Sequence, residues 1–143
     1  MAYDQNNIFA RILRGEIPAH KVYEDDATLA IMDVMPQAAG HTLVLPKKAA
    51  ENIFDLDEAT MTALMNAAQT VGAAVRTAFS ADGIRLMQLN GSAAGQSVFH
   101  FHIHIIPCHE GRSLGRHASG MADDQVLAEH AERIRAALDK ALA

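Results

Sequence analysis

The sequence predicts an α+β domain on an antiparallel sheet of about five strands, with a long helix between strands and a C-terminal helix. Short apolar runs such as Thr42-Leu43-Val44-Leu45, bounded by Gly and Pro, read as strands. Residues 58–79 and 124–142 instead repeat their apolar positions at helical period. An acidic turn joins the first two strand-like runs as a hairpin, the short connection that antiparallel pairing allows.

Taken in order, residues 7–14 predict a short helix with Ile8, Phe9, Ile12 and Leu13 on one face and Gly15 as its stop. Pro18 leads into the hairpin, in which 21–24 and 28–33 flank Asp25-Asp26. Pro36 and Gly40 punctuate a loop ahead of a third strand, 41–45, which Pro46 closes. Asp57 is a natural N-cap for the helix 58–79, and Leu56 is placed to fold over Met61. Met61, Leu64, Met65, Ala68, Val71, Val75 and Phe79 share the face expected to meet the sheet. Two further strands, 84–89 and 97–106, are joined by a small-residue loop from Asn90 to Gln96. A basic loop carrying Arg112, Gly115, Arg116 and His117 then precedes the last helix, 124–142. Its apolar face holds Leu127, Ala131, Ile134, Leu138 and Leu142.

A chain of 143 residues has the size of one domain with one substantial core, and no repeat or linker divides it. The formal net charge of −5 argues against a nonspecific nucleic-acid binder, which presents a basic face. A small phosphate ligand stays open, because a local pocket can be positive in an acidic protein. No apolar run approaches the ~20 residues that cross a bilayer, and residues 1–5 lack a basic-then-apolar signal pattern. The expectation is a cytoplasmic, unprocessed chain without a membrane partner. Cys108 is the single cysteine, which excludes an internal disulfide and a cysteine-based zinc site.

The most informative stretch is His100-Phe101-His102-Ile103-His104-Ile105-Ile106. On a strand, alternate side chains share a face, so three imidazoles would stand together with Phe99, Phe101, Ile103 and Ile105 opposite them. Metal binding is one rival reading. Successive histidines on a strand are roughly 6.6 Å apart and the outer pair roughly 13 Å, so an ion would need further ligands from His41 or His109. A structural role would require partners for three buried rings. Catalysis fits the residue type better. A neutral imidazole, with an ordinary pKa of about 6.5, attacks phosphorus or carbonyl carbon, and a neighbouring ring can protonate a leaving group. Just upstream, Gly95-Gln96-Ser97 offers a close-approach glycine, successive N–H groups and a hydroxyl, the parts of an anion-binding concavity.

The stretch from Gly95-Gln96-Ser97 through His100, His102 and His104 to Ile105-Ile106 resembles the signature of the histidine triad (HIT) family. The similarity extends through Ile8-Phe9-Ala10-Arg11-Ile12, Gly15-Glu16-Ile17-Pro18, Tyr23-Glu24-Asp25-Asp26, Asp33 and His41-Thr42-Leu43-Val44-Leu45-Pro46-Lys47-Lys48, and so spans roughly residues 6–107. The branch resembled most is the nucleotide-binding one, whose members hydrolyse nucleoside phosphoramidates and related conjugates. The resemblance implies one HIT-like domain over 1–143, with 108–143 as a variable C-terminal loop and helix.

By that resemblance His102 is the nucleophile toward an α-phosphorus, its tautomer fixed by a backbone carbonyl near His100. His104 sits beside the departing group, His100 orients the site, and His41 is its buried partner. Ser97 and the main-chain N–H groups around Gln96 and Val98 match the donors that hold phosphate oxygens. Asp33 matches the carboxylate that accepts ribose hydroxyls, and Ile8, Phe9, Ile12, Ile31 and Val34 match the walls of a purine slot. Relatives carry an amide at the position that is Leu89 here, so Asn90, one place later, takes the assignment to the phosphate or leaving group. The chain has no tryptophan, so no such ring contacts the ligand from the C-terminus. Loop 111–120 is expected either to reach a leaving group across a dimer or to lie solvated on the surface; His109 and His130 are read as surface residues.

The implied activity is hydrolysis of purine nucleoside phosphoramidates or related nucleotide conjugates through a nucleotidyl-histidine, with no cofactor and no metal. The alternatives are dinucleoside polyphosphate hydrolysis and a nucleotide-dependent interaction protein with incidental hydrolysis. The implied partners are a small purine nucleotide and a second copy of the chain, joined edge to edge as a homodimer that covers an exposed strand; no nucleic acid is implied.

Overall fold

Five strands form one antiparallel sheet in the order β1-β2-β3-β5-β4 in this computed structural model, which describes residues 2–116 and 120–142. The strands are β1 (Lys21–Glu24), β2 (Thr28–Met32), β3 (Thr42–Pro46), β4 (Gly83–Met87) and β5 (Ile103–Cys108). Helix α1 (Ile8–Leu13) precedes the sheet, α2 (Glu58–Ala78) links β3 to β4, and α3 (Asp124–Leu142) follows β5. The predicted α+β architecture is the observed one. Among the described residues no helix is long and apolar enough to cross a membrane.

Period-two alternation sorts the sheet residues between two cores. Ala30, Met32, Val44, Ile103 and Ile105 join Leu64, Val71 and Val75 of α2 and Leu127, Ala131, Ile134 and Leu138 of α3. Leu29, Ile31, Leu43 and Leu45 point the other way, where they meet Phe9 and Ile12 of α1. Because both faces of β2 and β3 are covered, every residue of these strands is buried. The hairpin turn forms as expected: Asp25 Oδ1 accepts the N–H groups of Ala27 and Thr28, at 2.9 and 2.7 Å. Asp57 caps α2 by accepting Thr60 N–H at 2.8 Å.

Four expectations are corrected. Residues 97–102 are not part of the strand, which begins at Ile103 and runs on to Cys108 opposite Gly83. The Phe101 N–H bonds Ala50 O at 2.8 Å instead of a neighbouring strand, so this segment follows the loop after β3. Met61 and Met65 do not face the sheet; they are 40% and 54% exposed, and the buried line of α2 runs through Leu64, Ala68, Val71 and Val75. Leu142, at the end of α3, is exposed as well. Strand β4 stops at Met87 because Gln88 turns away to pair its amide with that of Asn90 at 2.8 and 2.7 Å.

Gly40 places the loop before β3. Its φ is +94°, and a Cβ there would lie 2.7 Å from the Phe79 ring at the end of α2. Only glycine lets the chain pass under that ring and deliver His41 to the sheet.

Candidate active site

His41, His100 and His102 each take their tautomer from a backbone group that can only donate or only accept, and His41 passes its own on to His104. His102 Nδ1 lies 2.7 Å from His100 O, so Nδ1 carries the proton and Nε2 the lone pair. Gln37 N–H donates to His41 Nδ1 at 2.9 Å, which puts the His41 proton on Nε2. That Nε2–H donates in turn to His104 Nδ1 at 2.9 Å, so His41 is the partner of His104 and not, as expected, of His100, and His104 carries its own proton on Nε2. His100 Nε2–H donates to Pro46 O at 2.8 Å, leaving Nδ1 as acceptor for the Tyr3 hydroxyl at 2.5 Å. The outcome is one ring with a lone pair on Nε2 and a neighbour with a proton on Nε2, their centroids 5.0 Å apart.

His41, His100 and His104 are fully buried or nearly so, and His102 is buried at the floor of a cavity. Burial drives the His100 pKa down to about 4, the bond to Pro46 O opposing the shift and the nearness of a second titratable ring, His102, adding to it. The His100 ring is therefore neutral across the physiological range.

The cavity encloses about 380 Å³ beside the sheet face that carries α1. Ile8, Phe9, Ile12, Ile31 and Val34 form an apolar wall, and Asp33, Ser97, Val98, His102 and His104 line the rest of it. Phe9 meets the His102 ring edge-on, with centroids 4.9 Å apart. Asp33 Oδ1 accepts Met35 N–H at 2.8 Å, and its Oδ2 lies 3.3 Å from His41 Nε2. One carboxylate thus touches both the relay and the cavity.

Two predicted ligand contacts fall elsewhere. Gln96 is a scaffold: its N–H bonds Gly91 O at 3.0 Å, and its buried amide bridges Gly91 N, Glu51 O and Val98 O. Its backbone donor is spent on closing the loop, which leaves Ser97 and Val98 at the cavity. Asn90 does not line this cavity; its amide pairs with Gln88 and accepts Ile53 N–H at 2.9 Å. His109 and His130 are half-buried around the end of α2. His109 Nε2–H donates to Phe79 O at 2.9 Å, and the His130 ring stands edge-on to Phe79 at 5.1 Å. Arg112 and Arg116 are exposed, Gly115 N–H ties their loop to Gln37 O at 2.8 Å, and His117 lies outside the described residues.

Other residues that line the cavity are not among the predicted site residues. Met121, well past the signature, lines the apolar end of the cavity because Ala122 N–H bonds Val34 O at 2.9 Å. Ile17, Pro18 and Ala19 close the same end. The Gln37 N–H that sets the relay is a main-chain group, indifferent to side-chain identity.

Asp33, His41 and His104 each offer a donor atom within 4.8 Å of the others, a spacing that could hold a metal ion. The wiring opposes it. The His41 Nδ1 lone pair is taken by Gln37 N–H, so coordination through Nε2 would require an imidazolate. The same three groups are joined instead as a hydrogen-bonded relay.

Known proteins share this arrangement of chain. The HIT domain family matches residues 14–111. Protein hit of Bacillus subtilis is 38% identical over 140 residues, 97% of this chain and 96% of that one. Adenylylsulfatase HINT3 of Arabidopsis thaliana is 38% identical over 117 residues, covering 78% of this chain and 59% of the relative. A crystal structure of a Hit-like protein involved in cell-cycle regulation from Bartonella henselae superposes with a TM-score of 0.89 at 50% identity, covering 95% of this chain and 99% of that one. With the triad wired to the backbone and the match running through most of the sequence, this chain belongs to the HIT domain family.

Proposed function

We propose that the protein is a nucleotide hydrolase that cleaves purine nucleoside phosphoramidates or related nucleotide conjugates through a covalent nucleotidyl-His102 intermediate. The observation that carries this reading is the Nδ1–H of His102 bonded to His100 O, which leaves the nucleophilic lone pair on Nε2 of a ring lining the cavity. Phosphorus would sit over that nitrogen, held by Ser97 and the adjacent main chain, with the ribose hydroxyls on Asp33. The base would lie against Ile8, Phe9, Ile12, Ile31 and Val34.

Attack by His102 Nε2 forms a P–N bond and breaks the bond from phosphorus to the leaving group. The His104 Nε2 proton passes to the departing nitrogen or oxygen, and His41 Nε2–H supports the charge left on His104. Water then attacks phosphorus and gives its proton to His104 Nε2, restoring the neutral ring, as the P–N bond to His102 breaks and a nucleoside monophosphate is released. This sequence uses side chains alone and asks for no cofactor. The adenylylsulfatase name of the Arabidopsis relative favours adenylyl as the group transferred to histidine. The lone thiol of Cys108 suits a reducing compartment such as the cytoplasm.

The test is to mix the protein with an adenosine phosphoramidate, quench early and weigh the adduct. An adenylyl increment located on His102 is expected, and His102→Ala should lower turnover by at least about 10⁴-fold. Turnover by the His102→Ala protein at the wild-type rate would exclude the mechanism. A diadenosine polyphosphate assayed in parallel separates the neighbouring activity.

We also propose a homodimer joined along β4. This strand is a sheet edge with Leu86 47% exposed, and Met61 and Met65 present further apolar surface on α2.

A further inference from the structure

The geometry points to Tyr3 as a positioning residue that keeps the His102 nucleophile in aim by gripping His100. The inference rests on the hydrolase reading for its kinetic consequence, while its structural half stands on contacts alone.

His100 has two jobs. Its carbonyl accepts His102 Nδ1–H at 2.7 Å, so the orientation of this peptide sets where the His102 lone pair points. Its ring anchors that peptide. The anchor is needed because His100 lies ahead of β5, which begins at Ile103, so no strand pairing fixes this peptide. The ring is held at both nitrogens, Nε2–H by Pro46 O at 2.8 Å and Nδ1 by the Tyr3 hydroxyl at 2.5 Å. Pro46 closes β3, where it pairs with Thr28 of β2. Tyr3 arrives from a segment outside the match to the HIT domain family, which starts at residue 14.

The arm that brings Tyr3 is itself tied down. Asn7 N–H bonds Asp4 O at 3.2 Å, and Arg14 donates to Gln5 O at 2.7 Å. Tyr3 meets the His100 ring edge-on at 5.7 Å, and Phe9 stands edge-on to His100 and His102 at 6.4 and 4.9 Å. These rings shut water away from His100. Burial raises the Tyr3 pKa, so the hydroxyl keeps its proton and remains the donor. The titratable and charged groups facing this pair are His102 beside His100, and Arg14 and Asp4 beside Tyr3.

The deciding experiment compares Tyr3→Phe, which removes only the hydroxyl, with Tyr3→Ala, which also admits water. On an adenosine phosphoramidate, Tyr3→Phe is expected to lower kcat about tenfold with KM within about twofold of wild type. Tyr3→Ala should also move the acid limb of kcat upward in pH, as His100 regains its ordinary basicity. Nitrogen-15 spectra of histidine-labelled protein should show a shifted His100 Nδ1 in both variants and a broadened or shifted His102 ring. Unchanged kcat in Tyr3→Phe together with an unchanged His102 spectrum would overturn the proposal. So would a loss of rate that merely follows the folded fraction measured by thermal unfolding. If the wild-type protein turns over no phosphoramidate, the hydrolase reading fails instead, and the spectra still decide the role of Tyr3.

Discussion

At His100 the energetics of burial become a dependence of stability on pH. The folded ring has a pKa of about 4 against an ordinary 6.5. In the unfolded chain this side chain binds a proton near pH 6.5, while the folded ring refuses it until about pH 4. The unfolded state therefore gains protons first as the pH falls. Stability present in full above the unfolded value is lost progressively between these two limits, at roughly 3 kcal/mol over the whole window. Urea unfolding at a series of pH values should show the decline, and His100→Asn should remove about that much of it. A wild-type curve as flat as that of the variant would contradict the burial argument. The sequence marks His100 as one of three alternating histidines; which carbonyl and which hydroxyl hold it follows from residues 46 and 3, far away in the chain.

Among the elements, the segment leading into α3 closes the apolar end of the cavity. Ala122 is bonded to Val34, and His20 to Asp124 at 2.7 Å, so Met121 is held over the slot. Replacing Met121 with Ala removes roughly 1 kcal/mol of apolar contact with a bound base, or about fivefold in affinity. The expected result is a KM for adenosine substrates raised about fivefold with kcat unchanged; an unaltered KM would place the base elsewhere. Helix α2 teaches a related lesson. Its period is plain in the sequence, yet Met61 and Met65 lie off the buried stripe although they are as apolar as the residues on it. Periodicity identifies a helix, but a helix with apolar residues around much of its girth does not announce which stripe meets the sheet.

For the whole molecule, exposed methionines on α2 and an apolar edge at β4 form one argument about assembly. The other edge, β1, is braced by α3, where Arg135 donates to Lys21 O at 2.6 Å. If two copies pair along β4, Leu86→Lys sets cations near the two-fold axis and should weaken association by about 2–3 kcal/mol, on the order of 100-fold. Sedimentation velocity should then show monomer at concentrations where the wild-type protein is dimeric. A wild-type monomer at all concentrations would sink the pairing.

The alternating apolar runs and the punctuation by Gly and Pro determined the five strands, the three helices and their order. The triad signature marked the segment that brings His102 and His104 to the cavity, because burying three imidazoles on one short segment makes sense only where they have partners. What the tertiary structure alone decided is the direction of each hydrogen bond. Gln37 N–H, His100 O and Pro46 O are main-chain groups present at almost every position of any protein, so no residue pattern marks them. Only the folded chain brings each within bonding distance of a particular ring nitrogen, and that contact puts a lone pair on Nε2 of one imidazole and a proton on Nε2 of its neighbour.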